Sequence, residues 1–129
     1  MKKFRVILVM LLALALFVLG GCKNGDSTVS STVFEQFENA LIDKNLEYEK
    51  VTMAADLVGA EQGIKYKLQD ENVEIYRFDP TSDAYLKAKE TQSLQLDGFG
   101  AFEATVLNGY AINSDNLELI NIFKDIVSK

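Results

Sequence analysis

Histidine and tryptophan are absent from the 129 residues, and cysteine and proline occur once each. Without histidine there is no Ser-His-Asp triad, no Cys-His pair and no imidazole ligand for a metal. One cysteine permits neither an intrachain disulfide nor a thiolate cluster. The Ser-x-x-Lys and Gly-x-Ser-x-Gly signatures of serine nucleophiles are missing as well. Gly98-Phe99-Gly100 is two glycines in a turn, too little to cradle a phosphate. These absences predict a protein that is not an enzyme and holds no cofactor and no metal. The sequence has little positive charge too: 13 basic against 19 acidic side chains, a formal net charge of −6.

One long apolar run is present. Lys2, Lys3 and Arg5 precede it, and it extends from Val6 to Leu19 without a polar residue. That length suits a secretory apolar region and falls short of a membrane-spanning helix. It ends in Leu19-Gly20-Gly21-Cys22, where Cys22 is the chain's sole cysteine. The segment resembles the lipobox of bacterial lipoproteins, and past it the domain is similar to small lipoprotein domains of the Gram-positive type. The resemblance implies cleavage before Cys22, diacylglyceryl attachment at its thiol and a location on the outer side of the cell membrane. Two acyl chains anchor stably where one would be marginal. Lys23 stands where an aspartate would signal inner-membrane retention in Gram-negative lipoproteins.

The chain thus divides into a signal peptide (1–21), a lipidated cysteine with a small, polar tether (22–31) and one folded domain (32–129). Cleavage removes Lys2, Lys3 and Arg5 and no acid, which takes the formal charge from −6 to −9. Such a surface repels phosphate backbones, so nucleic acid is not an expected partner. The membrane is one, through the anchor.

Within 32–129, Thr32-Val33-Phe34-Glu35 fits a capping box, and Val33, Phe34, Phe37, Ala40 and Leu41 share a helical face up to a left-handed stop at Asn45. Leu46 to Met53 reads as a strand. Ala54 to Gln62 reads as a second helix stopped by Gly63, and Ile64, Tyr66 and Leu68 alternate with lysines as a strand that Val73 to Phe78 pairs with. A third helix covers Ala84 to Thr91. Leu94 and Leu96 form a short extended piece, and Phe102 to Leu107 turns back through Asn108-Gly109 into Tyr110–Ile112. Leu119, Ile122, Phe123 and Ile126 mark an amphipathic C-terminal helix. The order predicts an α+β fold: a small antiparallel sheet of about four strands in two hairpins, with helices packed on one face. Segments 54–78 and 84–113 read as two helix-plus-hairpin units, a candidate duplication. The free sheet face is expected to carry Lys65, Lys67, Glu74, Glu103 and Thr105.

Three clusters of side chains invite a chemical reading. Asp70, Glu71 and Glu74 gather at a hairpin turn, where paired-carboxylate hydrolysis would lack a cleft. Asp79…Asp83 and Asn113–Asn116 are oxygen-rich but match no calcium loop, and Asp83 and Asp115 suffice as helix caps. The tyrosines are the third. Tyr66, Tyr76, Phe78 and Tyr110 lie at strand positions, and Tyr76 and Phe78 alternate in phase with Val73 and Ile75, so one pair is expected to face outward as an interaction surface. The functional expectation is a non-enzymatic binding or interaction module of the cell envelope, with an envelope protein or peptide as partner. The alternatives are an envelope hydrolase using carboxylates, and a protective or decoy lipoprotein against a cationic toxin or phage factor.

Overall fold

The computed structural model describes residues 32–129; the signal segment, the lipobox with Cys22 and the tether lie outside the described residues. Helix α1 (Val33–Asp43) starts as the sequence predicts. Thr32 Oγ1 accepts from the Glu35 N–H and the Glu35 carboxylate accepts from the Thr32 N–H, both at 3.2 Å. The helix stops at Asn45, whose φ of 58° is left-handed, and the Leu46 N–H closes the end on the Leu41 carbonyl at 2.9 Å.

Strand β1 (Glu49–Thr52) follows and pairs antiparallel with β2 (Gln62–Lys67), which pairs with β3 (Asn72–Arg77). Between β1 and β2 the predicted helix over 54–62 is a single 3-10 turn, Ala55–Val58. Gly59, at φ 77°, ends it four residues earlier than Gly63 would, and Ala54 offers no side-chain cap. Gly63 is instead a strand residue. Helix α2 (Asp83–Thr91) is capped by Ser82, not Asp83, and helix α3 (Leu117–Val127) by Asn116, not Asp115. In each case the residue one step from the expected aspartate has the extended backbone and the oxygen that reaches the first-turn N–H groups.

Between α2 and α3 lie β4 (Ser93–Leu96), β5 (Gly100–Glu103), β6 (Thr105–Leu107) and β7 (Tyr110–Asn113). The main sheet is five-stranded in the order β1-β2-β3-β7-β6, and β4-β5 is a separate two-stranded ribbon. The chain is therefore α+β with an antiparallel sheet, packed helices and a C-terminal amphipathic helix. Segments 54–78 and 84–113 do not repeat: the first has one 3-10 turn and one hairpin, the second a helix and strands divided between two sheets.

The register explains the core. Ile64, Ile75 and Ile112 form one row across β2, β3 and β7, with Tyr66 opposite Val73 beside it. On this face α1 and α3 lay down Phe34, Phe37, Leu41, Leu119 and Phe123. The other row is Gly63, Tyr76, Ala111 and Val106. It is covered by the 3-10 turn, α2 and the ribbon, through Val58, Tyr85, Ala88 and Leu94. Both faces of the sheet are buried at this end. A fully buried Phe or Leu side chain is worth about 1.5–3 kcal/mol relative to exposure, so both clusters contribute to holding the fold.

Strand β6 carries one further device. Its outward backbone groups, those of Val106, are met by a side chain: Gln92 Oε1 accepts from the Val106 N–H at 2.9 Å and Gln92 Nε2 donates to the Val106 carbonyl at 3.3 Å. Gln92 ends α2 in a left-handed conformation, φ 51°, which aims its amide at the strand.

Candidate functional site

The four residues expected to form an aromatic surface do not share one. Tyr66 is fully buried on the helix-covered face, against Phe37 in a tilted pair and Tyr48 edge-on, with ring centroids 5.4 and 5.6 Å away. Tyr76 and Phe78 are buried in the opposite cluster, and Phe78 packs on Tyr85. Tyr110 is half-buried on the helix face, its ring edge-on to Phe34 at 6.3 Å. The reason is that both phases of β3 are enclosed: Val73 and Ile75 face α1 and α3, while Tyr76 and Phe78 face α2 and the ribbon. Lys65, Lys67 and Glu74 share one face of the sheet as expected from phase, but only Lys67 is exposed; Lys65 and Glu74 are partly buried. Glu103 belongs to the ribbon, and Thr105 pairs with Ile112 on the helix side.

Several acids are engaged in the framework. Glu74 accepts from the Tyr76 hydroxyl at 3.2 Å and from Asn113 Nδ2 at 3.3 Å, and pairs with Lys65 Nζ at 3.4 Å. Glu38 on α1 accepts from the Tyr66 hydroxyl at 3.2 Å and pairs with Lys50 Nζ at 2.6 Å. Burial first, and then the adjacent carboxylate, raise both phenols far above their ordinary value. Glu71 accepts from Asn116 Nδ2 at 3.1 Å. Asp79 folds onto its own turn, accepting from the Thr81 hydroxyl at 2.7 Å and the Thr81 N–H at 2.9 Å, which lowers its pKa. Among the described residues no three His, Cys, Asp or Glu side chains are placed to hold a metal ion.

What the fold leaves open is a groove of about 540 Å³ between the 3-10 turn, the outer side of α2 and the β4-β5 ribbon. Its construction follows from two glycines. Gly59 has no Cβ, and one placed there would lie 2.5 Å from the Ala84 Cβ, so only glycine lets the 3-10 turn rest on α2. Gly98, at φ 82°, shapes the ribbon's turn. The Asp97 N–H reaches the Leu57 carbonyl at 3.4 Å, and Lys87 Nζ donates to Gln95 Oε1 at 3.1 Å, which ties the three walls together. The floor is apolar, with Val58, Ala88, Leu94 and Leu96; the rim carries Asp56 and Asp97. Nearby are two large apolar side chains in water: Leu57 is 50% exposed, and Phe99 at the tip of the ribbon is 83% exposed. The volume lies within the range of clefts that bind small molecules or side chains.

Leu57 and Phe99 were not singled out from the sequence. As part of a full helix Leu57 would have a buried side; a four-residue turn has none to spare. Phe99 had a legible signal, since a phenylalanine between two turn glycines at the tip of a hairpin has nothing to pack beneath. Two other depressions are more polar or shallower: one of about 620 Å³ by Gln92, Glu103 and Asp115, and one of about 840 Å³ by Leu46, Tyr48 and Leu68.

No family model matches the chain, no curated protein matches it, and no solved structure matches it. Among the described residues no helix is long and apolar enough to cross a membrane.

Proposed function

We propose that this is a lipid-anchored, extracytoplasmic binding module of the cell envelope, held to the membrane through Cys22, whose domain takes an apolar side chain of an envelope protein or peptide into the groove beside Phe99. The observation that carries the reading is the exposure of Leu57, which lines the groove, and of Phe99, held between two of its lining residues, Gly98 and Gly100. Exposed apolar surface costs solubility unless a partner covers it, and aromatic anchors beside small clefts are where binding energy concentrates. The Leu19-Gly20-Gly21-Cys22 segment supports the anchor. The hydrolase alternative loses ground because Glu38 and Glu74, the two most enclosed acids of the described ion pairs, are each held by a lysine and a tyrosine.

Two measurements test it. Cells fed an alkyne fatty acid should label the wild-type protein and leave a Cys22→Ser variant unlabelled; equal labelling sinks the anchor. A photoreactive phenylalanine analogue at Phe99 should give one discrete crosslinked adduct in cells, while the same analogue at the exposed Asp125 gives none. No adduct at Phe99, or the same adducts from both positions, would refute the groove as the contact.

A further inference from the structure

The two outer strands of the five-stranded sheet both turn backbone groups outward, and among the described residues only one of them is met by a partner group. At β6 the Gln92 amide meets the Val106 N–H and carbonyl. At the opposite edge, among the described residues, β1 pairs with β2 alone. The Met53 N–H donates to the Gly63 carbonyl at 2.9 Å. Continued along the Val51–Lys65 and Glu49–Lys67 pairs, that alternation leaves the N–H and C=O of Lys50 and Thr52 directed away from the sheet. Native edges are usually blunted by a proline, a bulge or a projecting lysine. Strand β1 has no proline, and its four pairs with β2 run in unbroken register. Its lysine does not guard the edge either, because Lys50 Nζ is drawn onto Glu38 of α1.

We infer that the outer edge of β1 receives an extended, basic strand of a partner by antiparallel addition. Main-chain hydrogen bonds at Lys50 and Thr52 would supply the attachment, and alternate side chains the choice. The charge of the edge selects the occupant. Glu49 on the strand and Glu47 just before it are exposed, and among the described residues neither is within ion-pair distance of a lysine or arginine. Lys44 and Lys50 are already bound, to Glu118 and Glu38, and exposed Lys67, opposite Glu49, lies one strand in from the edge. An incoming strand therefore meets carboxylates opposite Glu49 and Glu47 and an apolar site opposite Val51 and Met53. A second copy of this acidic chain would repeat the same charges and repel itself. The edge shares no residue with the groove of Phe99, so either surface can fail without the other.

The register fixes a probe. An acetylated Val-Thr-Val-Thr-Lys-Thr-Lys peptide places valines opposite Met53 and Val51 and lysines opposite Glu49 and Glu47. At about ten times its Kd, amide hydrogen exchange at Lys50 and Thr52 should slow about tenfold, and not at Val51, whose N–H already faces β2. The same peptide with glutamates for its lysines, or with its threonine amides opposite Thr52 and Lys50 methylated, should give no slowing. Thr52→Pro removes one donor at an edge position where proline is tolerated, and should abolish the effect while circular dichroism stays native. The inference is overturned if the basic peptide protects neither amide up to millimolar concentration, if the acidic or methylated peptide protects them equally, or if they become protected with rising protein concentration and no peptide, which would make a second copy the occupant.

Discussion

Gly63 lies directly opposite Tyr76 in the β2–β3 pair, and the tyrosine ring occupies the space that a side chain at Gly63 would need. A Cβ there would come within 2.7 Å of the Tyr76 ring and 3.2 Å of the Met53 Cβ. The glycine is thus the slot that lets a buried ring lie flat on the sheet beneath α2. Alanine in a strand is normally better than glycine by about 0.5–1 kcal/mol. Overpacking a closed core costs about 1–3 kcal/mol, and the ring has little room to move. Gly63→Ala should therefore destabilise by about 1–2 kcal/mol in urea unfolding. The loss should shrink in a Tyr76→Leu background, where the ring is gone; an equal loss in both backgrounds would place its cause elsewhere.

The β6–β7 hairpin is pinned from below by one hydroxyl. The Gly109 N–H donates to Tyr85 Oη at 2.8 Å in a buried setting. Tyr85→Phe keeps the ring and removes the acceptor, leaving an amide without water or partner. That costs about 1–3 kcal/mol, more than the bond itself is worth net. The Gly109 amide should also exchange faster in the variant, while amides of α1 change only through global stability.

Much of this fold was legible in local chemistry. The Thr32 and Glu35 box, the left-handed Asn45, the alternation through Ile64 and Tyr66 and the Asn108-Gly109 turn each act within a few residues, and the structure keeps all of them. What escaped depends on distant segments. Val73, Ile75, Tyr76 and Phe78 are apolar on both phases, which is the pattern of a strand buried on two faces. Read as one-sided, it left one of the pairs Val73/Ile75 and Tyr76/Phe78 facing outward. The break at Ala104, where the chain passes from the ribbon to the main sheet, has no local signal, since Phe102, Ala104 and Val106 alternate without interruption; the Ala104 N–H bonded to the Gln92 carbonyl marks it only in three dimensions. The candidate groove was illegible for the same reason, being walled by three segments that the sequence does not place together.

Phe99 and Leu57 separate binding from folding. Phe99 is largely in water and Leu57 half so, and Phe99→Ser should change the unfolding free energy by less than about 0.5 kcal/mol and Leu57→Ser by about 1 kcal/mol. The crosslinked adduct formed at the groove should nevertheless be lost from a Leu57→Ser protein carrying the photoreactive analogue at Phe99. A stability loss of several kcal/mol would instead show that these side chains belong to the core.

Gln92 holds the β6 edge with a left-handed backbone, and the two effects oppose each other. A non-glycine residue at positive φ costs about 1–2 kcal/mol, and the two amide bonds to Val106 return about 0.5–1.5 kcal/mol each. Gln92→Ala keeps the strain and loses both bonds, and should destabilise by about 1–3 kcal/mol. Gln92→Gly loses the bonds and relieves the strain, and should lie close to wild type. Both variants should expose the Val106 amide to exchange. Alanine no worse than glycine would mean that the side chain does not close the strand.

Stability at high pH should report on the two buried tyrosines. In the folded chain Tyr66 and Tyr76 stay neutral well past the ordinary value of 10.0, chiefly because burial disfavours the phenolate and then because Glu38 and Glu74 stand beside them. In the unfolded chain both ionise near that ordinary value. Unfolding above it therefore releases protons, so the stability these residues confer is complete below pH about 10 and falls as pH rises beyond it. The slope is at most about 1.4 kcal/mol per pH unit per tyrosine, less where solvent screens the hydroxyl–carboxylate pairs. The comparison is internal to the variant series. Tyr66→Phe gives up the bond to Glu38 but has no proton to release. Between about pH 8 and pH 11 its urea midpoint should fall less than that of wild type, and the double variant with Tyr76→Phe should fall least. Parallel declines in all three proteins would mean that these hydroxyls are free to ionise in the folded state, and that the two Tyr–Glu–Lys sets on opposite faces of the sheet open to solvent before the domain unfolds.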